Sequence, residues 1–121
     1  MSYDEGNIFA RLLRGEIPCQ KLYEDEFALA FPDIRPAAPV HVLVIPKGKY
    51  ISIEDFGAKA SPEEITGFFR AVSAVAAQLG ILENGFRLIS NAGPDSHQEV
   101  PHFHVHLLAG RKLGALVTSA G

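Results

Sequence analysis

One cysteine, Cys19, is all the chain contains, so no internal disulfide framework can staple it. Neither residues 1–6 nor any later segment has the profile of a signal peptide, and together these features predict a reducing, cytoplasmic setting. A basic excess is missing too. The 11 lysines and arginines are outnumbered by 14 acidic residues, for a net charge of −3, which excludes polymeric nucleic acid and anionic membrane surfaces as expected partners. The richest apolar stretch, residues 71–82, is broken by Ser73, Gln78 and Gly80 and is too short to span a bilayer. Repeats, linkers and low-complexity tracts are lacking, so residues 1–121 read as one domain. What is present is 47% hydrophobic residues in 121, enough for a core without staples.

Asn7 ahead of Ile8, Phe9, Leu12 and Leu13 reads as an N-cap and a short amphipathic helix ending near Gly15. Residues 20–24 and 27–31 read as strands around an acidic turn, and residues 41–45, between Pro39 and Pro46, as a third. Ser61-Pro62-Glu63-Glu64 combines an N-cap, a proline at the first helical position and a capping-box glutamate. A long helix follows, with Ile65, Phe68, Phe69, Val72, Val75, Ala76 and Leu79 on its apolar face. Residues 85–90 and 100–109 supply a fourth and a fifth strand around a polar loop, 91–98. The expected fold is α+β, an antiparallel sheet of about five strands with one long and one short helix.

Four of the five histidines lie between positions 97 and 106, and three alternate in "PHFHVHLLAG". On a strand, His102, His104 and His106 share one face, roughly 7 Å apart in succession, while Phe103, Val105 and Leu107 face the core. Three readings compete. The imidazoles could be ordinary hydrogen-bonded or solvent-facing groups of a half-buried sheet. They could hold a transition metal, although three ligands along one extended strand converge poorly on an ion at about 2.1 Å and no cysteine completes the set. Or one imidazole attacks a phosphoryl centre while its neighbours fix its tautomer and supply protons.

The run "HFHVHLL" resembles the His-x-His-x-His-x-x signature of the histidine triad (HIT) family. "NIFARLLRGEIP", "EDEFALAFPDIRPAAPVHVLVIPK" and "GFRLISNAGPDSHQEVPHFHVHLLAGR" are similar to the corresponding blocks of its Hint branch, purine nucleoside phosphoramidases. The resemblance implies a hydrolase that releases a nucleoside monophosphate from a purine nucleoside 5′-phosphoramidate through a nucleotidyl-histidine. His104 is then the nucleophile, with His102, His106 and His41 as supporting catalytic residues. Asp33 matches a ribose-binding carboxylate, Asn91 an asparagine near the phosphate and ribose, and Gln98 a phosphate-side position. Ile8, Phe9, Leu12, Ile17, Phe31 and Ile34 match the purine slot, where core packing is an equal reading. A homodimer with a continuous sheet is implied, through the long helix and the fourth strand; Phe68 and Phe69 side by side agree with a covered face. The alternatives are a nucleotide-binding or scaffolding module with little turnover, a metal-binding regulator and a dinucleoside polyphosphate hydrolase.

Departures from the pattern carry their own expectations. Glu99 stands among the substrate-binding positions where relatives often have serine, and a carboxylate there repels a phosphate unless it turns away. Relatives with Cys-x-x-Cys at the first helix use it for structural zinc; here those positions are Asn7 and Ala10, so neither a metal nor another cofactor is expected. His97 replaces a frequent glycine, which predicts an altered loop path. The tail, "RKLGALVTSAG", has no tryptophan, and a changed leaving-group preference is expected.

Overall fold

The computed structural model describes residues 2–117. Five antiparallel strands form one sheet: β1 (Tyr23–Glu24), β2 (Ala28–Pro32), β3 (Val40–Pro46), β4 (Arg87–Ile89) and β5 (Val105–Ala109), in the order β1-β2-β3-β5-β4. Three helices pack on it: α1 (Ile8–Leu13), α2 (Ile53–Lys59) and α3 (Pro62–Gln78). The α+β expectation holds, with one more helix than the hydrophobic spacing indicates.

Alternation along the strands splits the interior into two layers. Ala28, Ala30, Val42, Val44, Val105 and Leu107 meet Phe56 of α2 and Phe68, Ala71, Val72 and Val75 of α3. Leu29, Phe31, Leu43 and Ile45, one position out of phase, meet Phe9 of α1. The Ser61 hydroxyl accepts from the Glu64 N–H while the Glu64 carboxylate accepts from the Ser61 N–H, so α3 begins where its capping box predicts. Ser52 and Asp55 make the same reciprocal pair at α2; that Ser-x-x-Asp spacing is the signal for the unexpected helix. Gly67 lets the ring of Phe27 lie against α3, since a Cβ there would come within 2.1 Å of Phe27 Cδ2.

Three strands are shorter than expected, among them β4, which covers Arg87–Ile89 and not 85–90. The first covers Tyr23–Glu24 and not 20–24. The last pairs only from Val105, although the expected strand starts at 100. Continuing the β3–β5 register, in which Val44 faces Val105, would set Phe103 against Pro46, which has no N–H to give. The Phe103 N–H instead donates to the Tyr50 carbonyl at 2.7 Å. His102 and His104 therefore stand on the segment leading into β5, yet the alternation persists: Phe103 is buried with the α3 layer and the histidines face the other way.

Candidate active site

The triad histidines differ in how they are held. His102 is fully buried and His104 nearly so, at 0% and 6% exposure, while His106 on β5 is half-buried. A backbone carbonyl can only accept, so each ring nitrogen facing one must carry the proton. His102 Nε2–H donates to the Pro46 carbonyl at 2.8 Å, which leaves Nδ1 as an acceptor, bonded by the Tyr3 hydroxyl. His104 Nδ1–H donates to the carbonyl of His102 at 2.7 Å, so in the neutral ring Nε2 is the nitrogen with a free lone pair.

The same reasoning orders the next pair. Ala37 N–H donates to His41 Nδ1 at 2.9 Å; His41 must then carry its proton on Nε2 and donate it to His106 Nδ1, also 2.9 Å away. His106 is left with its Nε2–H as a donor beside His104, whose ring centroid lies 5.1 Å from its own. Burial pushes the His102 imidazole down to about 4 and lowers His104; burial, with His104 and His41 adjacent, brings His106 to about 4. All three are neutral at pH 7, the form in which imidazole can attack an electrophile.

The other expected site residues distribute unequally. His41 sits on β3 beside β5, and Asp33, just past β2, places Oδ2 3.5 Å from His41 Nε2 while Oδ1 accepts the Arg35 N–H. Phe9 stands edge-on to His104 at 5.1 Å and to Phe31 at 5.5 Å, so these two join the site from α1 and β2. Ile8 is about half exposed and Ile34 almost wholly so, which puts them at a rim and not in the core. Leu12 packs against the same apolar cluster, and Ile17 is half-buried. Asn91 is half-buried after β4, next to Ser90, whose hydroxyl donates to the His104 carbonyl at 2.9 Å.

Gln98 has its side chain spent inside the protein. Its Oε1 accepts from Gly93 N–H, and its amide donates to the carbonyls of Ile51 and Val100. It ties the 93–98 loop to the segment before α2. Glu99 is exposed and pairs with His97 at 3.0 Å. His97 has φ 61° and ψ 47°, the left-handed region that favours glycine, so the histidine occupies a backbone conformation suited to the residue it replaces. Tyr3 is the site group that the spacing of the histidines does not point to; an aromatic residue ahead of an N-cap carries no signal of its own.

Metal chemistry can be tested on the donors. At α1, Asn7 Oδ1 caps Ala10 N–H and its amide donates to the Asp4 carbonyl, and Ala10 has no ligand atom, so these residues do not fit the relatives' zinc. Among the described residues Asp33, His41 and His106 bring ligand atoms within 4.8 Å of one another. There the Ala37 N–H occupies His41 Nδ1 and forces the proton onto Nε2, the atom a metal would need.

A family profile described as the HIT domain matches residues 14–113. The chain belongs to the HIT family. It is 57% identical over 117 residues to a 13.2 kDa HIT-like protein of Azospirillum brasilense, covering 97% of this chain and 96% of that one. It is 42% identical over 118 residues to the purine nucleoside phosphoramidase of Escherichia coli K12, covering 97% and 98%. Among solved structures it matches a HIT family hydrolase from Clostridium thermocellum with a TM-score of 0.86 at 38% identity, over 95% of this chain and 99% of that one.

Proposed function

We propose that this HIT protein hydrolyses purine nucleoside 5′-phosphoramidates, releasing an amine and a nucleoside monophosphate through a nucleotidyl group carried on His104. The observation that carries the reading is the bond from His104 Nδ1–H to the His102 carbonyl, which leaves Nε2 of a neutral ring as the attacking atom. In the first step the Nε2 lone pair forms a bond to the α-phosphorus, the P–N bond of the substrate breaks, and the amine departs with a proton taken from solvent. The ring, now positively charged, is stabilised through its Nδ1–H by that carbonyl. His106 Nε2–H is the donor available to a phosphoryl oxygen, and His41 fixes it in that tautomer. In the second step water bonds to phosphorus and returns a proton to solvent as the P–Nε2 bond breaks, restoring neutral His104.

The purine lies against Phe9, Phe31, Ile8 and Ile34, and Asp33 accepts from the ribose hydroxyls. The relative named purine nucleoside phosphoramidase supports this substrate class. A homodimer is part of the proposal: edge strand β4 exposes Leu88 next to Phe86, and Phe69 is exposed on α3, apolar surface that a second copy would cover. The test is release of AMP from an adenosine 5′-phosphoramidate by purified protein, before and after treatment with a strong chelator. Equal turnover in both is expected. Binding without turnover would make it a nucleotide-binding module, and loss on chelation would make it a metal enzyme.

A further inference from the structure

His102 raises a question that the sheet does not answer. Its ring is fully buried, its Nε2–H is committed to the Pro46 carbonyl, and Nδ1 is left as a buried acceptor, costly without a donor. The donor comes from the far end of the chain. Tyr3, in the segment before α1, bonds its hydroxyl to that nitrogen and sets its ring edge-on to the imidazole, 5.6 Å between centroids at 71°.

The segment is anchored just after this contact. Glu5 pairs with Lys49 at 2.7 Å, three residues beyond Pro46. Arg14 donates to the Glu5 carbonyl, and Asn7 donates through both its backbone and its side chain to the Asp4 carbonyl. Burial raises the Tyr3 phenol above its ordinary range, so it stays a donor.

We propose that Tyr3 is a positioning residue for the nucleophile: by holding His102 it fixes the carbonyl to which His104 gives its Nδ1–H, and so determines which nitrogen of His104 is free to attack. The inference rests on the reading that His104 attacks phosphorus. Without the phenol hydroxyl, His102 Nδ1 is unpaired in the interior, and the ring turns or draws in water to satisfy it. Its own carbonyl, only 2.7 Å from His104 Nδ1, shifts with it. A weaker bond there lets the Nε2–H tautomer of His104 become populated, and that form has no lone pair facing the substrate.

The experiment is Tyr3→Phe, which keeps the ring and removes the hydroxyl. Histidine side-chain 15N spectra of the wild type should show His104 as the Nδ1–H tautomer, and the variant should show a mixture with Nε2–H. The kcat for an adenosine 5′-phosphoramidate should fall about tenfold, with KM within about twofold, because the substrate slot is built by other residues. A variant with a lower melting temperature but wild-type His104 tautomer and kcat would reduce Tyr3 to packing and overturn the proposal. If the variant does not fold, the wild-type spectra still decide: His104 found as Nε2–H, or His102 Nδ1 found protonated at pH 7, contradicts it. Should the wild type not turn over the phosphoramidate at all, the proposed function fails, while the tautomer comparison continues to score Tyr3.

Discussion

The face of the sheet under α2 and α3 buries Phe56, Phe68 and Phe103 at 1% exposure or less, with Phe56 and Phe103 stacked at 4.8 Å. The face under α1 buries two imidazoles beside Phe9 and Phe31 and is covered by a helix of six residues. One stretch of chain serves both: Phe103, Val105 and Leu107 go to the first face, His102, His104 and His106 to the second. Apolar contact on one side sets the position of the polar groups on the other to within the pleat of a strand. Under the proposed function the thin cover is the side from which substrate would reach His104, and the dense layer behind it keeps the row in place.

If that division is right, mutations on the two faces should separate activity from stability. The largest effect is expected for His104→Ala, with kcat reduced by about 10³-fold or more and the melting temperature close to wild type, since the attacking atom is lost but the core layer is not; steady-state kinetics beside a thermal melt checks both halves. Phe68→Ala should do the reverse. It should cost about 3–5 kcal/mol of stability, read by urea unfolding, while kcat of the folded protein changes by no more than a few fold. A loss of kcat comparable to that of His104→Ala would mean the faces are not independent.

Acid should expose the polar face first. His102 titrates near 4 when folded against an ordinary 6.5, so between those values the unfolded chain binds a proton that the folded one refuses. Stability is complete above pH 6.5 and falls as the pH drops, by about 2 kcal/mol at pH 5 from this group alone. Unfolding curves at pH 7 and pH 5 measure it, and His102→Gln should remove this share of the difference while that of His106 remains. The smallest effect concerns the rim. Asp33→Ala should weaken purine ribonucleotide binding by about 1–3 kcal/mol and the matching deoxynucleotide less. Equal losses by calorimetry would remove Asp33 from the ribose.

How far the sequence announces these features depends on the physics of each. The capping box at Ser61 and the spacing from Ile65 to Leu79 are local, and α3 lies where they predict. The facing of the histidines is local too, being a period of two, and it survives even where the strand stops pairing. What stops it is the lack of an N–H at Pro46, a residue distant in sequence that only the β3–β5 register brings opposite. Tyr3 on His102 and Gln98 on Ile51 are contacts across 99 and 47 positions; nothing in their neighbourhoods marks them. His97 shows a subtler limit, since nothing in a histidine announces the left-handed backbone that it adopts here.

The central claim is that His104 carries the nucleotide between two half-reactions, and trapping that intermediate tests it most directly. The protein would be quenched during turnover of an adenosine 5′-phosphoramidate, under conditions that preserve an acid-labile P–N bond, and its peptides mapped by mass spectrometry. An adenylyl group on the imidazole of His104 is the predicted result. An adduct on His102 or His106, or none at a time when amine release outruns AMP release, would contradict the account.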